Sequence, residues 1–280
     1  MDGRQHENWT HEEREIGWHL VILGPLVTKE ELPTYAHVVR VDAILNLNTE
    51  GLKMGRPVVI VIFFCLLAQA TTTFDLTADF SLRNNPNQAW QYGYSETNSL
   101  DPAQFRIDKS TGALGQIGFW HPRVSDRPGP GYYPYVAYNS AKQTRLGSSN
   151  GWAARAGEVA MEASNSGQYS LIRFVAPAPG TYQITARFEG IHFGLSSTDV
   201  HVLHNATSLF DAEIEGYGGD PAFHAVKGTS PTAAYSGQID LKANDTVTFA
   251  CGYGKNKTNF SDTTGLFAQV ILLSEVGTRK

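Results

Sequence analysis

The stretch Thr181-Tyr182-Gln183-Ile184-Thr185-Ala186-Arg187-Phe188-Glu189 decides the fold class. Tyr182, Ile184, Ala186 and Phe188 alternate with Gln183, Thr185, Arg187 and Glu189, a period of two that sends the two sets to opposite faces of an extended chain. The prediction is a half-buried β-strand. The same alternation recurs over residues 74–80, 89–94, 116–120, 169–175, 198–204, 208–214, 234–240, 246–251 and 266–273, between clusters of Gly, Pro, Asn and Asp. No segment after Thr71 carries a convincing helical period. Strands at this spacing without intervening helices cannot form a parallel sheet of βαβ units, so they pair antiparallel, most economically as two packed layers. The expected fold is all-β, an antiparallel two-sheet β-sandwich of jelly-roll type, preceded by a signal-peptide helix.

The leader is read from residues 54–70. Lys53 and Arg56 supply a basic flank, roughly thirteen apolar or small residues follow Pro57, and Ala68-Gln69-Ala70 forms a small-x-small cleavage site before Thr71-Thr72-Thr73. The apolar run is shorter than the ~20 residues of a spanning helix. Three segments result: 1–53, an upstream extension from a start assigned too early, Met54 being the expected initiator; 54–70, the signal peptide; and 71–280, one β-sandwich domain. The expected location is secreted or periplasmic after cleavage near Ala70, with membrane contact only in transit through the leader.

Composition narrows the function. A chain of 280 residues, 41% hydrophobic and 11% aromatic, has ample material for a core. Its net charge of -5, with lysines and arginines scattered singly, leaves no electrostatic footprint for nucleic acid. Of the two cysteines, Cys65 lies inside the leader, so Cys251 is expected to be unpaired, a small buried hydrophobe within Val247-Thr248-Phe249-Ala250-Cys251.

Four pieces of the chain carry a resemblance: Ala78-Asp79-Phe80-Ser81 with Asn84-Asn85-Pro86-Asn87 and Trp90-Gln91-Tyr92-Gly93; Ala178-Pro179-Gly180-Thr181-Tyr182; the run from Thr198 through Asn205; and Asp262-Thr263-Thr264-Gly265-Leu266. Together they resemble uncharacterised jelly-roll domains of exported bacterial proteins, akin in architecture to carbohydrate-binding modules. The resemblance implies export, a sandwich fold and, more distantly, a polysaccharide or cell-surface glycan as partner.

Candidate sites follow from residue chemistry. Residues 122–138, rich in Pro, Gly and Tyr, read as an extended loop. Trp120, Tyr132, Tyr133 and Tyr135 are therefore the candidate sugar platform, since flat π-faces pack against axial C–H groups. The alternating Trp90, Tyr92 and Tyr94 are read first as core. Calcium is the metal an exported sandwich would take. Asp75 and Asp79 near the first strand, and Asp262 before the last, are the candidate ligands, Asp79 and Asp262 meeting if those strands lie side by side. Asp211, Glu213 and Glu215 share one face of a strand at roughly 6.5–7 Å spacing, which is the alternative reading, a glycoside hydrolase of sandwich fold. A surface row of acids that deters edge pairing explains the same residues. Asp199 and His201 share a face, whereas His201 and His204 do not. Sequons stand at Asn205, Asn244, Asn256 and Asn259. An exported glycan-binding module leads the hydrolase and an extracellular structural or adhesion domain.

Overall fold

The computed structural model describes residues 71–122, 133–147, 150–223 and 225–275. The leader, the upstream extension, the initiator reading of Met54, and Tyr132 lie outside the described residues.

Sixteen strands run in chain order: β1 (Thr72–Asp75), β2 (Trp90–Ser95), β3 (Phe105–Ile107), β4 (Ser110–Leu114), β5 (Ile117–His121), β6 (Tyr135–Asn139), β7 (Arg145–Leu146), β8 (Ala153–Ala154), β9 (Val159–Glu162), β10 (Ser170–Val175), β11 (Gly180–Gly190), β12 (Thr198–His204), β13 (Thr207–Ile214), β14 (Thr232–Leu241), β15 (Thr246–Cys251) and β16 (Thr264–Glu275). One large sheet has the order β14-β11-β16-β9-β6-β5-β4, with β1 also paired to β16, the second large sheet has the order β13-β12-β15-β10-β2-β3, and β7 and β8 pair as a small separate sheet. Every pairing is antiparallel.

The last eight strands nest. β12 pairs with β13, β11 with β14, β10 with β15 and β9 with β16, each pair enclosing the one before, and successive pairs fall in alternate sheets. This is jelly-roll wrapping, a double-layered hairpin rolled on itself. The earlier strands only widen it: β4, β5 and β6 continue one sheet beyond β9, and β2 and β3 continue the other beyond β10.

The alternation of β11 is realised from Tyr182 to Phe188, with Tyr182, Ile184, Ala186 and Phe188 buried between the sheets, whereas Glu189, predicted on the wetter face, is fully buried. They meet Trp90, Tyr92, Ile172, Phe174, Val247 and Phe249 from the opposite layer. Trp90 and Phe174 pack edge to face at 5.5 Å. The Trp90 and Tyr92 faces are therefore core, as the sequence suggests, and Cys251 is buried and free among them.

Within the stretch predicted as a loop, residues 135–138 are strand instead, while residues 123–132 lie outside the described residues. Tyr135–Asn139 form β6, an interior strand between β5 and β9. Val136 enters the main core while Tyr135 and Ala137 enter a second cluster outside the sheet, with Ile117, Phe119, Trp152, Ala154, Ala160 and Ile191. A strand apolar on both faces has no period-two signature, and the Pro and Gly residues before it mask the rest. β9, fully buried, was hidden for the same reason.

Candidate functional site

Several loops converge beside the second cluster and enclose a cleft of about 300 Å³ lined by Tyr133, Gly151, Trp152, Glu162, Asn165, His192, Asn259, Phe260, Ser261 and Thr263. Its walls are held by backbone ties. Trp152 bridges His192, Phe193 donates its N–H to the Gly151 carbonyl at 2.8 Å, and Gly147 donates to the Trp152 carbonyl at 2.9 Å. Gly147 is needed there because a Cβ would collide with the Trp152 indole. The β9–β10 loop is stitched to the β15–β16 loop: Asn165 Oδ1 accepts the Asn259 N–H at 3.1 Å and the Thr258 hydroxyl at 3.3 Å, and Asn259 Nδ2 donates to the Ala163 carbonyl at 2.9 Å.

Aromatic rings form one wall. Tyr133 tilts on Tyr135 at 5.5 Å, and Tyr135 stacks on Trp152 at 6.4 Å. Phe260 stands at the rim and is 78% exposed.

The polar groups are set as hydrogen-bond partners. His192 Nδ1 accepts the Gly194 N–H at 3.0 Å, which leaves the proton on Nε2 as a donor, and burial lowers the imidazole below its ordinary pKa. Glu162, 4% exposed, accepts the Tyr135 hydroxyl at 2.7 Å and the Thr263 hydroxyl at 2.5 Å, both on Oε2. Burial raises its carboxyl to about 8 against the opposing pull of those two bonds, and the nearby Asp262 adds to the rise. Asp262, raised to about 7 by its own desolvation, accepts the Ser197 N–H at 2.9 Å through Oδ1 while Oδ2 is buried without a partner among the described residues. The Trp152 indole N–H is likewise buried without an acceptor among the described residues.

The sequence candidates fall in several places. Trp120 lies on β5, in the strand predicted over 116–120, and Tyr135 is corrected from loop to strand: both are buried, the Trp120 indole donates to the Ser81 carbonyl at 2.7 Å, and the Tyr135 ring is packed behind the cleft wall. Tyr133 alone of the described set lines the cleft. The aromatic that reaches solvent, Phe260, was not singled out, although a lone Phe inside the polar run Lys255-Asn256-Lys257-Thr258-Asn259-Phe260-Ser261-Asp262 was the available signal.

The first and last described strands do lie side by side, as the calcium reading requires, but Asp79 and Asp262 are not brought together. β1 ends at Asp75 opposite Gln269, and the five residues from Gln269 back to Thr264 span about 16 Å of strand. Asp79 is turned back on β1, its N–H donating to the Asp75 carbonyl at 2.9 Å and its Oδ2 accepting the Trp90 indole N–H at 3.2 Å. Among the described residues no three His, Cys, Asp or Glu side chains converge as a metal-ligand set.

Asp211 and Glu213 are exposed on β13, the edge strand of its sheet, and Glu215 follows its end in an isolated bridge to Ser230. Each acid is engaged locally: Asp211 Oδ1 with His201 Nδ1 at 2.5 Å, Glu213 with Lys255 at 3.0 Å, and Glu215 with the Thr229 hydroxyl at 2.8 Å. His201 is also bonded through Nε2 to Asp199 at 2.8 Å, and these carboxylates raise its pKa against the opposing effect of burial. The same imidazole holds Asp211 below the usual carboxylate range, the opposite of what a general acid needs. His204 turns to Asp245 at 3.2 Å.

No family model matches the chain, and no curated protein matches it in sequence. Among solved structures, the CBM51 module from Clostridium perfringens GH95, in complex with methyl-galactose, is similar over 71% of this chain and 99% of that one, at 10% identity and a TM-score of 0.31. A family 35 carbohydrate binding module from an environmental isolate is similar over 51% and 93%, at 14% identity and a TM-score of 0.26. The K3 cleaved adhesin domain of Lys-gingipain from Porphyromonas gingivalis w83 is similar over 41% and 73%, at 16% identity and a TM-score of 0.24.

Proposed function

We propose that this protein is an exported, non-catalytic β-sandwich module that binds a glycan in the loop cleft between Tyr133, Trp152 and Phe260. One observation carries the reading. A large aromatic side chain, Phe260, is held in water at the rim of a cleft whose interior presents donors and acceptors from His192, Asn165, Ser261 and Glu162. A solvent-facing ring beside convergent polar groups suits a sugar, whose C–H face stacks while its hydroxyls find partners. Export rests on the basic flank, apolar run and small-x-small site of residues 54–70, and N-terminal sequencing of the protein recovered outside the cell tests it, with Thr71 the expected first residue. A polysaccharide and oligosaccharide array probed with the full chain tests binding. Retention of glycans by the wild type and their loss in Phe260→Ala supports the proposal; an array with no retained saccharide removes it.

A further inference from the structure

We propose that the outer edge of β14 pairs with the same strand of a second copy of this chain, antiparallel about a two-fold axis at Gly237, so that one sheet runs from copy to copy. This goes beyond the glycan reading and does not depend on it.

β14 ends its sheet and pairs only with β11, from Thr232 opposite Glu189 to Leu241 opposite Gly180, with no break in register. Its main chain has no other backbone partner among the described residues. Its polar side chains turn back to β11: Ser236 Oγ accepts from Gln183 Nε2 at 3.1 Å, and Asp240 Oδ1 accepts the Thr181 hydroxyl at 2.6 Å. A long edge with free N–H and C=O groups is a template for another strand unless it is guarded. The other edges are guarded or short. β1, β3 and β4 have four, three and five residues. β13 holds Asp211 and Glu213 in water, and its pairing with β12 shifts register between Val202 and Leu203. β14 has none of these devices. Pro231 and Lys242 stand just outside it, and between them there is no Pro, Lys or Arg and a single acid, Asp240.

The strand is complementary to itself. Ala233, Tyr235, Gly237 and Ile239 are half-buried, and the residues between them are exposed. Directly opposed residues of an antiparallel pair share a face, so a two-fold axis normal to the sheet must lie level with a residue. Centred on Gly237, it sets Tyr235 against Ile239 twice on the half-buried face, and Ser236 against Gln238 and Ala234 against Asp240 on the exposed one. An aromatic beside a β-branched side chain is a favourable cross-strand pair, and each Asp240 meets an alanine instead of the other acid. With one charge along its length, β14 offers little to attract a strongly basic or acidic peptide. Pairing of residues 233–241 covers about 30 Å of strand, a smaller contact than the ~800 Å² per partner of a standard interface, so the expected association is micromolar.

Sedimentation equilibrium of the full chain from about 1 to about 300 µM, with amide exchange measured at both ends of that range, tests this. The mass is expected to rise from one chain towards two, and an alternating set of β14 amides to gain protection as it does. Ser236→Lys combined with Gln238→Lys puts like charges opposite one another around the axis, from positions that are exposed in the single chain. That variant should associate at least about tenfold more weakly and melt close to the wild type. Thr111→Lys, exposed on the β4 edge, should associate as the wild type does. The mass of one chain at every concentration overturns the proposal, as does a rise in mass that the double lysine variant retains. Protection of β14 that is independent of concentration also overturns it, since a segment of the same chain would then cover the edge. If the double variant does not fold, the concentration dependence of the wild-type β14 amides decides alone.

Discussion

Phe260 and Asn139 illustrate two opposite uses of a single side chain. Phe260 has little to lose on truncation, because it is mostly in water already. Phe260→Ala is expected to abolish saccharide retention while changing stability by less than about 0.5 kcal/mol, a combination that array binding and a urea melt together detect. Asn139 is fully buried, and its Nδ2 serves the carbonyls of Gln143, Ala154 and Arg155, each at 2.9 Å, while Oδ1 accepts the Ala141 N–H at 3.0 Å. Asn139→Ala leaves those backbone groups buried and unpaired, and should cost about 1–3 kcal/mol in the same melt. Residue-scale burial also separates the sequons. Asn244 and Asn256 are exposed, whereas Asn259 is buried with its amide bound to Ala163, so a glycan at Asn259 would require the loop to open.

At the scale of elements, close approach matters as much as pairing. Gly93 on β2 pairs with Ile107 of β3, and a Cβ at that position would press into the Arg106 carbonyl oxygen and the Phe105 ring. The same ring carries the Arg173 guanidinium at 3.8 Å. Gly93→Ala should therefore separate β3 from β2 and cost about 1–3 kcal/mol, with amide exchange in β3 rising ahead of exchange in β11. β11, β12 and β15 fall where the alternation put them, the last two with the same bounds; β11 and β12 have one wetter face, and β15, buried on both, still alternates Thr246 and Thr248 with Val247 and Phe249. β6 and β9 were not legible, since their sequences lack that contrast. The site was legible only as a neighbourhood. The Tyr-rich segment reaches the cleft through Tyr133, but the cleft is assembled by Trp152, His192, Asn165 and Phe260 from loops far apart in the chain, and no local pattern joins them.

The whole molecule has an unusual balance of acids. Burial raises Asp108 and Glu162 to about 8, and Glu158 and Asp262 to about 7. Asp108 has neither carboxylate oxygen bonded among the described residues, and Glu158 fits only because Gly265 leaves room for it. A folded-state pKa above the unfolded value means that the stabilising contribution is complete below the unfolded carboxylate pKa near 4 and is lost as pH rises through 7 to 8. The raised His201 acts in the same direction. Asp199, Asp211 and Asp245 are lowered, Asp245 to about 2, and their contribution is lost only as pH falls below about 4. The lowered His192 opposes the trend on the acid side. The melting temperature should accordingly be higher at pH 5 than at pH 8.5. A melting temperature that is flat or rising across that interval would show that these acids are ionised and compensated in the folded state.

The nested pairing also sets the order in which the molecule can be completed. β16 follows every other described strand, yet it lies inside its sheet, between β11 and β9, with β1 paired to it as well. A ribosome releasing the chain from its N-terminus therefore leaves β9 and β11 with unpaired edges until the final strand emerges. The sandwich cannot close piecemeal during synthesis. Closure comes as one late, long-range event, of the kind that makes β topologies slow to fold, and that delay would suit the export proposed above, since it leaves the sandwich open until its last strand has been made.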